Sequence, residues 1–445
     1  MKNREPNLSR RRFLKASGLG MMAAAAGSTG YFLYAEPARA VTTSARIAIV
    51  GGGAAGLAMA NRLAGRLQGA TITVIEGKRQ HVYQPGLTMV ATGYWQSEKV
   101  VDRNSRYMPS GVEWVESMAA EVDPDAQRVI TEDGGRHQYD YLVVATGLHL
   151  DFEAIEGMSA DLIGEHGIGC VYDRPDHAVK TERLLTRFME GGEGVGVFTR
   201  PPGALKCAGA PLKMTMLAED AIRRHGVRDQ IELVYTNASE QLFSQPDMDS
   251  FLKQELPGRD IHLQYNHSLK RIEPESRRAI FETPDGETTM DYDFIHVVPP
   301  MRAPDVVGDS PLAWQEGRFA EDGNWLEVDR HTMRHRRFPN VFGVGDCVGT
   351  PVAKTAASVK AQVPVAVENL MQVIQDREET ASYNGYTSCP LITRRGQAIL
   401  VEFDYELNMV PSFPFISPYQ EHWIPWVMKD RMLQPAYNAM LRGRV

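Results

Sequence analysis

The chain has 445 residues, with 48 Lys plus Arg against 56 Asp plus Glu, 43% apolar residues, 39 Gly, 26 Pro and four Cys. This composition implies a globular chain of about two to three domains and excludes low-complexity disorder, a coiled coil and a disulfide-stapled mini-protein. The first 40 residues carry seven bases and two acids, so the remainder has 41 bases against 54 acids, and a net charge of −13 disfavours any nucleic-acid partner.

Ser9-Arg10-Arg11-Arg12-Phe13-Leu14-Lys15 precedes an uncharged stretch from Ala16 to Tyr34 and then Ala38-Arg39-Ala40. The pattern resembles a bacterial twin-arginine export signal over residues 1–40, cleaved before Val41, and implies a mature protein at the periplasmic face of the inner membrane. Four glycines make Ala16 to Tyr34 only weakly apolar, and no later stretch approaches the ~18 apolar residues a membrane span needs. That export route carries folded proteins, so a cofactor loaded in the cytoplasm is implied.

From Arg46 the chain reads Ile47-Ala48-Ile49-Val50, then Gly51-Gly52-Gly53-Ala54-Ala55-Gly56, then a helical pattern from Leu57 to Leu67. Strand, glycine turn and helix form a dinucleotide-binding fingerprint. Gly51 permits the tight turn, Gly53 lets backbone N–H groups approach a pyrophosphate, and Gly56 lets helix and strand pack closely. A second strand, Thr71 to Ile75, ends in Glu76, twenty residues after Gly56, where a carboxylate accepts from ribose hydroxyls. Residues 139–147 form an apolar strand ending in Ala145-Thr146-Gly147, and residues 338–346 form another ending in Asp346. These two segments resemble parts of the two-dinucleotide-domain flavoproteins, in which Asp346 would bind the ribityl chain and the helix beginning near Lys354 would point its positive end at the flavin ring. The cofactor implied is FAD.

The expected fold is α/β, with two Rossmann-like domains and a C-terminal docking region. The FAD domain takes residues 41–150 and 326–380, the second domain 151–325 and the C-terminal region 381–445. In the second domain the strand Gly194 to Thr199 runs into Arg200-Pro201-Pro202-Gly203, where two prolines remove N–H donors from the turn that would cradle a pyrophosphate. A nicotinamide dinucleotide is therefore not expected there. Cys207 follows, beside Lys206 and just before a helix from Leu212 to His225, both of which favour a thiolate. Cys170, Cys207, Cys347 and Cys389 share no metal-ligand spacing, so no metal is expected, while distant cysteine pairs remain open.

The blocks Lys206-Cys207-Ala208-Gly209-Ala210-Pro211, Val298-Pro299-Pro300-Met301, Gly345-Asp346-Cys347, Lys354-Thr355-Ala356-Ala357, residues 385–391, Glu402-Phe403-Asp404-Tyr405 and Phe413-Pro414-Phe415 resemble the mitochondrial-type sulfide:quinone oxidoreductases over nearly all the chain after the signal. The resemblance implies that Cys207 and Cys389 are a redox pair joined by sulfur. Hydrosulfide would attack the bridge, leaving a persulfide on one cysteine and the other as thiolate, and two electrons would pass through FAD to membrane quinone. It also carries over FAD contacts at Gly52, Gly53, Glu76, Gln84, Asp346 and Lys354, with Ala119 on the adenine side. Cys170 resembles an accessory cysteine of other bacterial branches, and Cys347 reads as core packing. Lys206, Arg200 and Lys213 are candidates for attracting hydrosulfide to an otherwise acidic protein.

Residues 422–442 place Trp423, Ile424, Trp426, Met428, Met432, Tyr437 and Met440 at roughly helical spacing, with Pro425 and Pro435 dividing the segment. This reads as short amphipathic helices on a bilayer interface, and removal of everything after Pro418 is expected to leave a soluble protein that still reacts with sulfide. Phe413 and Phe415 are expected to wall the quinone channel. A homo-oligomer is compatible with the pattern, and the sulfur acceptor is not specified by it. Three other readings stand beside this one. The flavin subunit of a flavocytochrome c sulfide dehydrogenase would attach FAD through a cysteine, and none occurs between Arg46 and Gly169. A type II NADH dehydrogenase is opposed by the proline turn. A non-catalytic flavin-binding assembly or sensor protein would show no bleaching by sulfide.

Overall fold

The computed structural model describes residues 40–445; all of the proposed export signal but Ala40 lies outside them. Four strands, β1 (Arg46–Val50), β2 (Thr71–Ile75), β3 (Glu113–Val115) and β4 (Tyr141–Val144), join Val341–Gly343 in one sheet of order Val341–Gly343, β4, β1, β2, β3. Every pairing is parallel, with Val50 opposite both Ile75 and Val144. A parallel sheet is covered on both faces, which is why Ile47, Ile49, Val50, Leu142 and Val143 run as near-continuous apolar residues and are almost fully buried. Helix α1 (Ala54–Ala64) crosses from β1 towards β2. It begins at the glycine turn, three residues before the periodicity suggests, because Gly56 lies inside its first turn.

The second sheet orders Ile168–Gly169, β8, β5, β6, β7, again all parallel, from β5 (Gly194–Arg200), β6 (Ile231–Asn237), β7 (Ile261–Tyr265) and β8 (Phe294–His296). Its helices are α2 (Pro175–Gly191), α3 (Ala210–His225) and α4 (Pro246–Gly258). Helix α3 has Pro in its first turn, where no N–H is needed, Arg223, Arg224 and His225 against its negative end, and Gly226 at φ +87° to stop it. Two sheets of this kind make the expected α/β class.

After α5 (Ala356–Ile374) the chain forms an antiparallel hairpin, β9 (Thr387–Arg394) with β10 (Gln397–Phe403), pairing Cys389 with Val401. Helix α6 (Trp423–Val427), a π-helical turn Met428–Met432 and α7 (Leu433–Leu441) follow without a break. Pro425, in the first turn of the segment, and Pro435, three residues after the π-helical turn, do not divide it. The apolar periodicity read as a bilayer face is largely consumed by the protein itself. Ile424, Met428, Tyr437, Met440 and Leu441 are buried, and Trp426 packs edge-on against Tyr94 at 5.6 Å between ring centroids. The Asn61 amide donates to the carbonyls of Leu57, Tyr107 and Leu441 at 3.0, 2.7 and 2.9 Å, and Tyr437 Oη meets His81 Nε2 at 2.8 Å. A cut after Pro418 therefore removes part of the FAD-side core, and the expected independence of the segment does not hold.

Arg259, at the end of α4, ties the second sheet to the hairpin. Its guanidinium reaches Glu255 and Glu421 at 2.7 Å, donates to the Thr393 carbonyl at 2.7 Å and meets Glu219 of α3 at 3.4 Å. Cys207 lies three residues before α3 and Cys389 lies on β9, so this clamp fixes the supports of the two cysteines relative to each other.

Candidate active site

The glycine turn takes the geometry a pyrophosphate needs. Gly51 has φ +105°, and a Cβ there would lie 2.4 Å from the Ala145 carbonyl oxygen. A Cβ on Gly56 would fall 1.8 Å from the Gly51 carbonyl oxygen, whereas one on Gly53 would meet nothing within 4 Å. The first two glycines serve packing, and the third leaves open the approach to the N-terminus of α1. Glu76, nearly buried, accepts from the Gly52 and Lys78 N–H groups at 2.8 Å each, which fixes its carboxylate at the end of β2. Gln84 opens a short 3-10 turn after Tyr83 and is exposed, and Ala119 begins the strand Ala119–Asp123. Thr146 Oγ1 is buried without a hydrogen-bond partner, and Gly147 beside it has φ +74° and open space around it.

Asp346 and Lys354 lie at the other end of the cradle. Burial raises the Asp346 carboxyl pKa against the opposing pull of the Lys206 and Lys354 charges. Lys354 donates to the Val348 carbonyl at 2.7 Å and stands 3.7 Å above the Trp325 ring, with burial lowering its pKa to about 8. An open turn at a helix N-terminus, an orphaned hydroxyl, the half-buried Asp346 and the buried Lys354 are what a bound dinucleotide would complete, and the residues present fit FAD.

Cys207 and Cys389 stand 182 residues apart in sequence and 3.8 Å apart in space, sulfur to sulfur. Both are free thiols. Cys207 adopts φ +49°, an unusual conformation for a residue with a Cβ, held by its N–H donating to the Lys354 carbonyl at 2.7 Å and its own carbonyl accepting from Ala210 at 2.7 Å. The sulfur is thereby tied to the Asp346–Lys354 end of the cradle. Lys213, one turn into α3 and nearly buried, donates to Cys207 Sγ at 2.9 Å. The Cys389 thiol and the Lys213 ammonium together pull the Cys207 pKa well down against burial, while Cys389, donating to that thiolate, has its pKa pushed up. The pair is therefore asymmetric: Cys207 is the thiolate and Cys389 the thiol.

A second lysine enters from the C-terminal segment. Lys429, in the π-helical turn, is buried, donates to the Pro85 carbonyl and lies 5.2 Å from the Tyr83 ring centroid. Burial, and then the repulsion of Lys213, lower its pKa to about 7, opposed by the two cysteines. The sequence pattern alone assigns it no role. A lysine beside tryptophans and methionines looks the same whether it snorkels at an interface or is enclosed, so nothing local in the sequence marks Lys429 as buried.

Cys170 is fully buried, its Sγ accepts from the Tyr172 N–H at 3.4 Å, and burial pushes its pKa up to about 12. Tyr172 Oη donates to the Cys207 carbonyl at 3.3 Å, so one residue separates the third cysteine from the pair. Cys347 is also fully buried, and burial raises its pKa to about 11. Phe413 is buried in a small apolar cluster with Leu400, Ile416, Ile424 and Met428, against which Trp423 packs, while Phe415 is 71% exposed with its ring edge-on to Phe413 at 5.7 Å. Among the described residues no His, Cys, Asp and Glu cluster could hold a metal ion, and no helix is long and apolar enough to cross a membrane.

Two parallel nucleotide-type sheets with a glycine cradle and a cysteine pair define the class, and the family described as pyridine nucleotide-disulphide oxidoreductase matches residues 45–182. The chain is an FAD-dependent oxidoreductase of that class. It is 35% identical over 404 residues to "Sulfide:quinone oxidoreductase, mitochondrial" of Mus musculus, covering 89% of this chain and 86% of that one. The protein of the same name from Dictyostelium discoideum is 35% identical over 401 residues, with 90% and 86% covered. The solved sulfide:quinone oxidoreductase of Aquifex aeolicus shares the fold with a TM-score of 0.74 at 19% identity, over 90% of this chain and 92% of that one. The chain belongs to the sulfide:quinone oxidoreductase family.

Proposed function

We propose that this protein oxidises hydrosulfide to sulfane sulfur at Cys207 and Cys389 and delivers the electron pair to membrane quinone. The observation that carries the reading is the sulfur pair itself, 3.8 Å apart with a lysine ammonium 2.9 Å from one member. Two S–S bonds of about 2.05 Å meeting at the bent angle of divalent sulfur hold the outer sulfurs about 3.3 Å apart, so one sulfur atom can join the two cysteines after a closing movement of about 0.5 Å. Hydrosulfide attacking the bridging sulfur forms one S–S bond and breaks the bond to Cys207, which leaves as thiolate because Lys213 stabilises its charge. Cys389 retains the sulfur chain. When bound, FAD accepts two electrons and passes them to quinone. As the electrons depart, the bridge re-forms, the proton of hydrosulfide is released, and one sulfane sulfur atom goes to an acceptor nucleophile. Gly51, Gly52, Gly53, Gly56, Glu76, Gln84, Ala119, Thr146, Gly147, Asp346 and Lys354 hold the cofactor without a covalent bond.

The FAD-binding parts are residues 41–150 and 326–380, the second domain is 151–325 without a nicotinamide site, and residues 381–445 supply Cys389 and the quinone contact. Exposed Phe415, with Phe413 and Trp423 behind it, is the apolar edge suited to a monotopic membrane contact. Export of the folded holoprotein by the twin-arginine route puts that edge at the periplasmic face.

Anaerobic addition of sulfide tests the reading: the flavin absorbance should bleach rapidly, recover on adding quinone, and respond far more slowly to NADH. Reduction by NADH at a comparable rate refutes it. Flavin retained in the pellet after acid precipitation would favour the flavocytochrome alternative.

A further inference from the structure

Gly209 lies between Cys207 and the first residue of α3, and nothing in its backbone demands glycine. Its φ of −84° and ψ of −2° are open to any residue. The space beside it is not. A Cβ at position 209 would lie 2.7 Å from Cys389 Sγ, with the next atoms, Phe243 Cε2 and Leu391 Cδ1, at 3.6 and 3.7 Å. The missing side chain is therefore the seat of one sulfur atom, and the rest of the surroundings would accept a methyl group.

We propose that Gly209 is a positioning residue that sets the separation of the two redox sulfurs, so that a single sulfur atom joins them. This rests on the sulfur-bridge reading above. A carbon and a sulfur in ordinary contact stand about 3.5–4.0 Å apart, so a methyl group at 209 displaces Cys389 Sγ by about 1 Å. The Cys389 backbone cannot follow, because it is paired with Val401 in the hairpin. The sulfur must instead turn about its own Cα–Cβ bond. From a separation of 3.8 Å, a move of that size outward opens a gap far beyond the ~3.3 Å that a bent one-sulfur bridge spans, and a move inward brings the sulfurs closer than that bridge allows. Either way the resting bridge is lost while the cradle, formed by other residues, stays intact.

The test compares the wild-type holoenzyme with Gly209→Ala, measuring sulfur released by cyanide per flavin, anaerobic flavin reduction by sulfide, and melting temperature. Wild type should release one sulfur per flavin, and Gly209→Ala less than a fifth of that, with flavin content kept and sulfide reduction at least tenfold slower. Introducing Gly209→Ala into Cys389→Ala, where the clashing sulfur is gone, should change the melting temperature less than it does in wild type. If wild type releases no sulfur, the bridge reading falls and this proposal with it. If wild type and Gly209→Ala both release one sulfur and react within twofold of each other, the bridge stands and the role of Gly209 is refuted. An equal melting-temperature change in the two backgrounds also refutes it, because the contact with Cys389 would then not matter.

Discussion

Replacing Lys213 by Met removes the ammonium 2.9 Å from Cys207 Sγ while keeping an unbranched chain to fill a nearly buried position. At that separation and an effective dielectric of ~20, Coulomb's law gives about 5–6 kcal/mol of attraction between ammonium and thiolate before desolvation is set against it. Burial does work against the Lys213 charge, yet the two cysteines outweigh it and raise its pKa, so the lysine remains protonated beside the thiolate. Net of desolvation, an opposite charge at this range moves a pKa by about 1–3 units, or about 1.4–4 kcal/mol. The Cys207 pKa, depressed in the wild type, should rise by that amount in Lys213→Met. The thiolate exists above its pKa, so the acid limb of the pH profile for sulfide-dependent flavin reduction should move to higher pH by about 1–3 units. At a pH below both limbs the rate should fall by about 10- to 1000-fold. Anaerobic stopped-flow across pH 5–9 measures the limb, and Lys213→Arg should restore part of the shift. An acid limb that stays in place in Lys213→Met would show that Cys207 does not depend on this charge.

Cys207→Ser and Cys389→Ser should each keep FAD and each lose quinone reduction by several orders of magnitude, with the double variant scarcely worse, because both act in one step; near-normal turnover in either would refute the bridge. His296 is fully buried with neither ring nitrogen hydrogen-bonded, and burial alone lowers its pKa to about 3. Between pH 6.5 and about 3 the unfolded chain binds a proton that the folded chain excludes, so stability falls as pH falls, by up to about 1.4 kcal/mol per unit. Relative to wild type, His296→Leu should flatten the pH dependence of the urea midpoint over that window, and parallel curves would sink the argument. Truncation after Pro418 should yield protein with little bound FAD and a lowered melting temperature, measured on purified material; a fully loaded, equally stable product would contradict the packing of Tyr437, Met440 and Leu441.

The nucleotide cradle was legible because its chemistry is local. Gly51, Gly53 and Gly56 occur at spacings fixed by one turn, and Glu76 follows at the length of one helix and one strand. The cysteine pair was not legible from spacing, since its members stand 182 positions apart; family resemblance alone joined them. Lys213 could be suspected from its place one turn into a helix that begins beside Cys207. Gly209 could not be distinguished from any other small residue before a helix, because the atom it makes room for belongs to another strand. The C-terminal segment misled for a physical reason: a stripe of Trp, Met and Tyr at helical spacing encodes burial without saying in what, and here α1 and the Tyr83–Trp95 region supply most of the partner surface that a bilayer was expected to provide.

The amide of Asn61 holds a carbonyl of a helix 380 residues further along the chain. Synthesis runs from the amino end, so the strand and helix that cradle the nucleotide leave the ribosome long before α7 can cover their flank. Until then α1 presents an apolar side with no lid, and contacts of such large sequence separation form late. Cofactor capture is therefore expected to be post-translational in this protein: the cradle is written first and closed last.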